Sequence, residues 1–317
     1  EAEEALIDDV VVIGYGSMKK SDLTGSVVSV KMDAIKDISA PSIEGLLQGR
    51  AAGLQIMNTS QDPGAGAVVR IRGNSSLNGS NTPLIVVDGF PIGDAGNLSQ
   101  INPSDIESIE ILKDASSSAI YGSRGANGVI VVTTKRGRKG EKPTVDFKAS
   151  VGISEPIRYP DYLGSADYAT LYNEAMLNDN PSLAADSPSL FTQTAIDNYR
   201  RAKGDNSDGL GYNWDYFDYA FQPSVLQDYS LSVRGGTDRA RYFILGSYYK
   251  QGGNYKHSNS DNANNFLRYN FRANVDVDAT KRLKISVDLG ARVTEYNYPG
   301  ATAANIISLA NTQPPYL

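Results

Sequence analysis

Apolar and polar positions follow two different rhythms along this chain. Up to about residue 135, apolar residues come in short β-branched blocks separated by glycine-bearing turns. Val10-Val11-Val12-Ile13, Ser26 to Val30, Leu54 to Met57, Val68 to Arg72, Leu84 to Val87, Ser108 to Leu112 and Gly128 to Thr134 read as strands. The Leu84-Ile85-Val86-Val87 run has no alternation, which predicts burial on both faces. Ser42 is placed to cap a helix through Gln48 that Gly49 ends, Asn102 to cap a short helix opening at Pro103, and Asp114 to cap a helix from Ala115 to Ile120. This mixture predicts a compact α+β domain.

Past residue 140 the period becomes two and is sustained. Leu267, Tyr269, Phe271, Ala273, Val275 and Val277 point one way, while Arg268, Asn270, Arg272, Asn274, Asp276 and Asp278 point the other. After a turn at Thr280-Lys281-Arg282, Leu283, Ile285, Val287, Leu289, Ala291 and Val293 repeat the pattern. Runs of ten residues or more match the ~9 to 11 of a tilted membrane-crossing strand, not the roughly 5 to 6 of globular ones. Val145 to Ile153, Tyr229 to Val233 and Arg241 to Lys250 bring the strands to five. The connections alternate as well: 155–224, 251–264 and 295–317 are long, 236–240 and 279–282 short, the asymmetry of outer-membrane barrels. A soluble β-sandwich alternates equally well, and strand length and loop asymmetry favour the barrel over it. On that reading Arg268, Arg272 and Asp276 line the lumen while Leu267 and Phe271 face lipid.

The long connection 155–224 has helix signals of its own, one capped by Ser165 with Tyr168, Leu171, Tyr172 and Ala175 on a stripe, another from Ala195 to Lys203. Trp214 to Tyr219 interleaves aromatics with acids, which fits an interfacial band or loop packing better than a carbohydrate-stacking loop. Lys135-Arg136-Gly137-Arg138-Lys139-Gly140 reads as a solvated linker, with contact to anionic groups near a membrane as the alternative.

Composition narrows the function. The 317 residues include no cysteine and one histidine, which excludes disulfides, thiolate metal sites, multi-histidine metal sites and a cysteine nucleophile. Thirty basic against 36 acidic residues give a net charge of −6, unsuited to nucleic acid. Mean hydropathy is −0.33, and no apolar run reaches the ~18 to 20 residues of a spanning helix, although a barrel needs no such run. Of nineteen tyrosines only Tyr15 and Tyr121 precede residue 140, marking two regions with different surroundings. Gly14 to Ser21 lacks phosphate-loop spacing, Asp205 to Gly209 lacks the acidic spacing of a calcium loop, and the sequons at Asn58 and Asn74 are frequent chance matches. His257 lies in a polar loop, and no nucleophile is paired with a base. The expectation is a protein that is not an enzyme and has neither cofactor nor metal.

Several motifs together carry a resemblance. Asp9 to Gly16, Arg70-Ile71-Arg72-Gly73-Asn74-Ser75-Ser76-Leu77, Pro83 to Gly89, Ile101 to Glu110, Leu112 to Ser116 and Ala119 to Gly128 are similar to the plug of SusC/RagA-type TonB-dependent outer-membrane transporters. The match spans about residues 8–137; Gly125 departs from the alanine more usual there, and 143–317 resembles the first barrel strands more loosely. The resemblance implies an α+β plug domain followed by antiparallel transmembrane β-barrel strands, a fragment of a 22-stranded barrel. It divides the chain into a TonB-box segment (1–16), a plug (17–140) and the N-terminal part of the barrel (141–317) with an extracellular loop at 155–224. It further implies partners: the TonB C-terminal domain at Asp9, Val10, Val11, Val12 and Ile13, a SusD-like surface lipoprotein, outer-membrane lipid of a Gram-negative bacterium, and an oligosaccharide or peptide substrate. An extended β-branched segment ahead of a domain suits strand addition to such a partner. Asn74, Ser75, Leu77, Asn78 and Asn81 are candidate substrate contacts, and Arg70, Arg72 and Arg124 candidate plug–barrel ion pairs. Five strands cannot close a barrel, so the wall is expected to be completed by residues outside these 317. The implied function is TonB-dependent import of nutrient oligomers, oligosaccharides first. The alternatives are a peptide importer of the same family and a surface binding or adhesion receptor that does not transport.

Overall fold

The computed structural model describes residues 10–13, 16–19, 27–32, 42–58, 62–73, 81–94, 98, 101–256 and 264–316. The chain opens with an antiparallel pair, β1 (Val10–Ile13) and β2 (Gly16–Lys19). The N-terminal domain then runs β3 (Val27–Lys31), α1 (Ile43–Leu47), β4 (Leu54–Asn58), β5 (Ala67–Ile71), β6 (Leu84–Val87), β7 (Phe90–Asp94), β8 (Ile106–Leu112), α2 (Ala115–Ser118) and β9 (Val129–Thr134). Its main sheet has the order β3-β8-β9-β6-β7, with β6 and β9 parallel, and β4 pairs with β5 apart from it.

The helix starts are local and fall where the sequence puts them. Ser42 accepts from Gly45 N at 3.4 Å, Asn102 from Ser104 N at 3.1 Å and Asp114 from Ser117 N at 3.0 Å. The helix after Asp114 is shorter than read; it passes at Ala119 into a 3₁₀ segment kinked at Gly122. Packing is concentrated on isoleucines: Ile43, Ile85, Ile106, Ile109, Ile111 and Ile130 are fully buried, each contributing roughly 1.5–3 kcal/mol. In β6, Ile85 belongs to one apolar cluster and Leu84 and Val86 to a second, so both faces are covered as its sequence requires. The sequence reading missed β7, because Pro91 and Gly93 break its pattern. Such residues are tolerated here because β7 pairs only with β6 and forms the sheet edge.

After residue 140 come β10 (Thr144–Ser154), β11 (Ser224–Gly236), β12 (Ala240–Gly252), β13 (Asn265–Asp278) and β14 (Lys284–Asn297), of 11, 13, 13, 14 and 14 residues. They form one meander in chain order. Along β13 the exposure is inverted relative to a soluble sheet. Arg268, Asn274 and Asp276 are 3%, 2% and 5% exposed, whereas Tyr269 and Phe271 are 45% and 48% exposed. A β-sandwich would hide its apolar face, so the competing reading fails on this inversion. The outer face continues across the sheet with Val145, Phe147, Leu231, Ile244, Leu289 and Val293, all exposed. Tyr229, Tyr248 and Tyr269 sit side by side in register on that face, with ring centroids 6.1 and 5.3 Å apart, in the manner of the aromatic girdles of membrane barrels.

Residues 153–224, 253–264 and 297–317 make a second compact unit. It carries α3 (Ser165–Asp179), α4 (Gln193–Arg201), α5 (Tyr216–Ala220) and α6 (Ala303–Thr312). Gly164, not Ser165, occupies the cap position of α3; Asn213 Oδ1 instead accepts from Ser165 N at 2.8 Å, and the buried face is Ser165 and Ala169. α4 is capped by Thr192 and starts two residues earlier than read, while α5 and α6 lie in stretches read only as loop. Aromatic contacts hold the unit together, among them Phe191 with Tyr172, Tyr199 and Tyr316, and Phe217 with Tyr159, Tyr162 and Phe221.

In bilayers, Phe271→Arg in the full-length protein is expected to cost roughly 2–4 kcal/mol of folding free energy if the site lies near the midplane. Equilibrium folding into lipid vesicles measures it, and an unchanged free energy would remove the lipid-facing assignment.

Candidate functional site

The site is built where the N-terminal domain meets the polar face of the strand sheet. β6 ends at Val87, and the turn to β7 places Asp88 and Gly89 in the left-handed region, φ 48° and 89°. That turn aims the Asp88 carboxylate at the end of β9: Oδ1 accepts from Thr134 N at 2.9 Å and Oδ2 from Thr134 Oγ1 at 2.6 Å. Arg272, from the polar face of β13, donates Nη2 to Asp88 Oδ2 at 2.9 Å and to Thr134 Oγ1 at 3.1 Å. Asn274, two residues on and therefore on the same face, donates to Thr134 Oγ1 at 3.0 Å and to Lys135 O at 2.8 Å. Nearby, Asn102 donates to Ser247 Oγ of β12 at 2.6 Å. Charge-assisted bonds in such a dry setting are the strong kind.

The basic connector is not a solvated linker. Arg136 pairs with Asp288 at 2.6 Å, Asp276 at 3.4 Å and Asp88 at 3.8 Å, and Asp276 also meets Lys284 at 3.4 Å and Ser286 Oγ at 2.5 Å. A linker segment with three carboxylates within reach trades water for fixed partners. Gly137 is buried against the backbone of Gly235 and Tyr242, where a Cβ would collide. Gly236 N donates to Glu141 O at 2.9 Å, and Glu141 pairs with Arg234 at 3.2 Å, fastening the connector to the β11–β12 hairpin. The exposed pair Arg138–Glu107 at 3.3 Å adds little.

Asp105, in the turn after Asn102, is buried, and burial pushes its carboxyl up to about 6; Arg272, Lys135 and Arg268 pull it down and Asp88 pushes it up further. Among the described residues its Oδ1 has no hydrogen-bond partner.

The residues singled out from sequence fall unevenly. Val10 to Ile13 form β1, and Asp9 lies outside the described residues, as do Asn74, Ser75, Leu77 and Asn78. Asn81 is half-buried just before β6. Arg70 is in β5, Arg72 is an exposed residue with φ 58°, and Arg124 is exposed in the 3₁₀ segment. Among the described residues these three arginines make no ion pair with the strands; Arg136 and Arg272 make those pairs instead. Sequence reasoning had Arg272 and Asp276 on an inward face but gave Asp88, Thr134 and Arg136 no part in holding them. The aspartates of the 205–209 loop serve its own backbone: Ser207 N donates to Asp205 at 3.0 Å, and Lys203 N and Leu210 N donate to Asp208 at 2.9 and 3.0 Å. Among the described residues no cluster of three metal-ligating side chains occurs.

Arg272→Ala leaves the buried Asp88 charge with only the longer 3.8 Å contact to Arg136 and should cost up to roughly 3–5 kcal/mol, whereas Arg138→Ala should change stability by less than ~1 kcal/mol. Native-state hydrogen exchange of residues 84–134 in the full-length protein measures both, and equal effects would dismiss the latch. Asp105 has a folded-state value above its unfolded 3.8, so its contribution is complete below about pH 4 and is lost as pH rises through about 6. Asp105→Asn, neutral throughout, should therefore gain on the parent protein as pH rises from about 4 to about 6 and keep that advantage above it, by roughly 3 kcal/mol at most; a pH-independent difference in melting would contradict this.

Residues 19–129 match the TonB-dependent Receptor Plug Domain family. The whole chain is 37% identical to TonB-dependent receptor P26 of Formosa agariphila, covering 30% of that protein. Over 80% of its length it is 38% identical to TonB-dependent receptor SusC of Bacteroides thetaiotaomicron, covering 23% of that one. In three dimensions it matches the RagAB peptide importer in its open-open state with a TM-score of 0.74 and 29% identity, over 90% of this chain and 32% of that one. The chain thus spans under a third of the length of these relatives, which are receptors and importers, not enzymes, and members of this family reside in the bacterial outer membrane. The inverted sheet, the domain fastened to its polar face and these likenesses agree: the chain belongs to the SusC/RagA-type TonB-dependent receptors, of which it carries the plug domain and five strands of the barrel wall.

Proposed function

We propose that the full-length receptor imports nutrient oligomers, oligosaccharides first, across the outer membrane of a Gram-negative bacterium, driven by the TonB C-terminal domain and lidded by a SusD-like surface lipoprotein. The observation that carries this reading is the seam between plug and wall, where Asp88, Thr134 and Arg136 meet Arg272, Asn274 and Asp276. Ion pairs and hydrogen bonds can be handed over to water one by one, so a plug held this way is secure at rest and releasable under load. Residues 1–16 would serve as the TonB segment, 17–140 as the plug and 141–317 as wall, with 155–224 on the outer surface. β1 is extended, the conformation that strand addition by a partner requires. Asn74, Ser75, Leu77, Asn78 and Asn81 are the proposed plug contacts with substrate. Arg70, Arg72 and Arg124 are proposed as cations for wall strands beyond these five. Outer-membrane lipid is the partner of the exposed apolar face.

A peptide cargo is the second reading, favoured by the structural likeness to a protein described as a peptide importer. A surface receptor that binds without transporting is the third.

Deleting Asp9 to Ile13 from the full-length receptor should abolish energised uptake and growth on the imported nutrient while leaving surface binding intact. Uptake that continues without the segment, or without TonB, would remove the TonB assignment and favour the non-transporting receptor.

A further inference from the structure

The second unit holds an open cavity of about 330 Å³ between residues 162–168, residues 213–216 and the end of α6 with the turn that follows it. That is the small end of the roughly 300–1,000 Å³ of small-molecule sites. Tyr162, Trp214 and Tyr216 supply aromatic wall, Asn213, Asp215 and Asn311 supply polar groups, and among the described residues no lysine, arginine or histidine lines it. Its walls are fixed by their own bonds. Trp214 N donates to Pro315 O at 2.9 Å, Tyr216 OH to Pro314 O at 3.3 Å, and Tyr162 OH donates to Asn311 Oδ1. Asn213 Oδ1 accepts from Ser165 N at 2.8 Å, and Asp215 Oδ1 caps α5 through Phe217 N and Asp218 N at 2.9 and 3.1 Å. Among the described residues, Nδ2 of Asn213 and of Asn311, Nε1 of Trp214, Asp215 Oδ2, the side-chain amide of Gln313 and the hydroxyl of Tyr168 remain without a hydrogen-bond partner, so the lining offers both donors and acceptors.

We propose that this cavity binds one pyranose ring of a neutral oligosaccharide. A pyranose presents apolar C–H faces to aromatic rings, and each of its hydroxyls both donates and accepts. These donors and acceptors therefore find partners on one ring, with the walls already in place and little ordering to be done on binding. A uronate, a sulfated sugar or a peptide carboxylate would enter a site without a cation, at the cost of an unpaired charge. A peptide ammonium would meet Asp215 and the aromatic faces. A peptide's carbonyls would also reach these donors, but its flexible backbone would have to be ordered on binding, a cost that a rigid pyranose ring does not carry. Asp215 is moreover already engaged at the start of α5. The ligand class deepens the import reading, which enters only as the source of the sugar; binding requires no TonB.

The test is calorimetric titration of the full-length receptor in detergent with malto-, cello- and xylohexaose, with hexagalacturonate, and with hexaalanine bearing a free N-terminus. At least one neutral hexasaccharide should bind, the other two probes should not, Trp214→Ala should weaken binding at least tenfold and Asn311→Asp at least fivefold. Asn311→Asp keeps the acceptor used by Tyr162, so its melting temperature should match the parent and guards against misfolding as the explanation. The assignment stands only if both variants weaken a neutral sugar; no neutral sugar bound, either variant binding as well as the parent, or hexaalanine binding that depends on Trp214 overturns it. Uptake failing while this binding holds would count against import alone.

Discussion

A guanidinium on the inner face of a wall strand must find an anion, and Arg272 finds it in another domain. The strand leaves it no choice: with Phe271 and Ala273 turned to the apolar side, the period of two forces Arg272 and Asn274 inward. Burial removes the water that would otherwise compensate the charge, so the pair with Asp88 decides where the plug sits. A shift of one residue in β13 would place Arg272 in lipid and Phe271 against Asp88. Both Asp88 and Thr134 lie at strand ends of the parallel pair β6–β9, so the latch is set by the most buried part of the plug sheet. Without the plug and its connector, Asn274 would lose Thr134 and Lys135, and Asp276 would lose Arg136.

The inversion explains a composition that is otherwise misleading. A chain with mean hydropathy −0.33 carries enough polar groups for two solvent-like interfaces, and spends one of them on the plug–wall seam. Only one face in two of each wall strand is apolar, and the plug dilutes it further, so no average reports the lipid contact. Most of the late tyrosines fall in two places: a lipid-side row through Tyr229, Tyr248 and Tyr269, and the aromatic core of the second unit around Phe191 and Phe217.

What was legible in the sequence is what depends on near neighbours. The caps at Ser42, Asn102 and Asp114 act over two or three residues, and the alternation of β13 and β14 needs no partner to be read. Where a neighbour is remote, the reading slipped. Asn213, 48 residues away, supplies the acceptor at the start of α3 and lets glycine stand at the cap. Arg272 is 184 residues from Asp88 and Arg136 is 152 from Asp288, distances at which no spacing rule connects an acid to a base. Arg70, Arg72 and Arg124 drew notice because they sit in motifs; toward the five strands present, Arg136 and Arg272 make the pairs.

The seam is graded in strength along its length. Side-chain exposures are 67% and 41% for Arg138–Glu107, 29% and 31% for Arg136–Asp288, and 15% and 10% for Arg272–Asp88. Solvent screening makes the first weak, and desolvation makes the last costly to break by halves. A plug pulled from its N-terminal side meets the resistance of Asp88 and Arg272, while the connector at Gly137 and Glu141 stays fastened to the β11–β12 hairpin by backbone contacts. Once water reaches the Asp88 carboxylate, both partners are solvated together and the penalty for separating them falls to the net value of ordinary hydrogen bonds. Resistance of this kind is high until wetting and low after it.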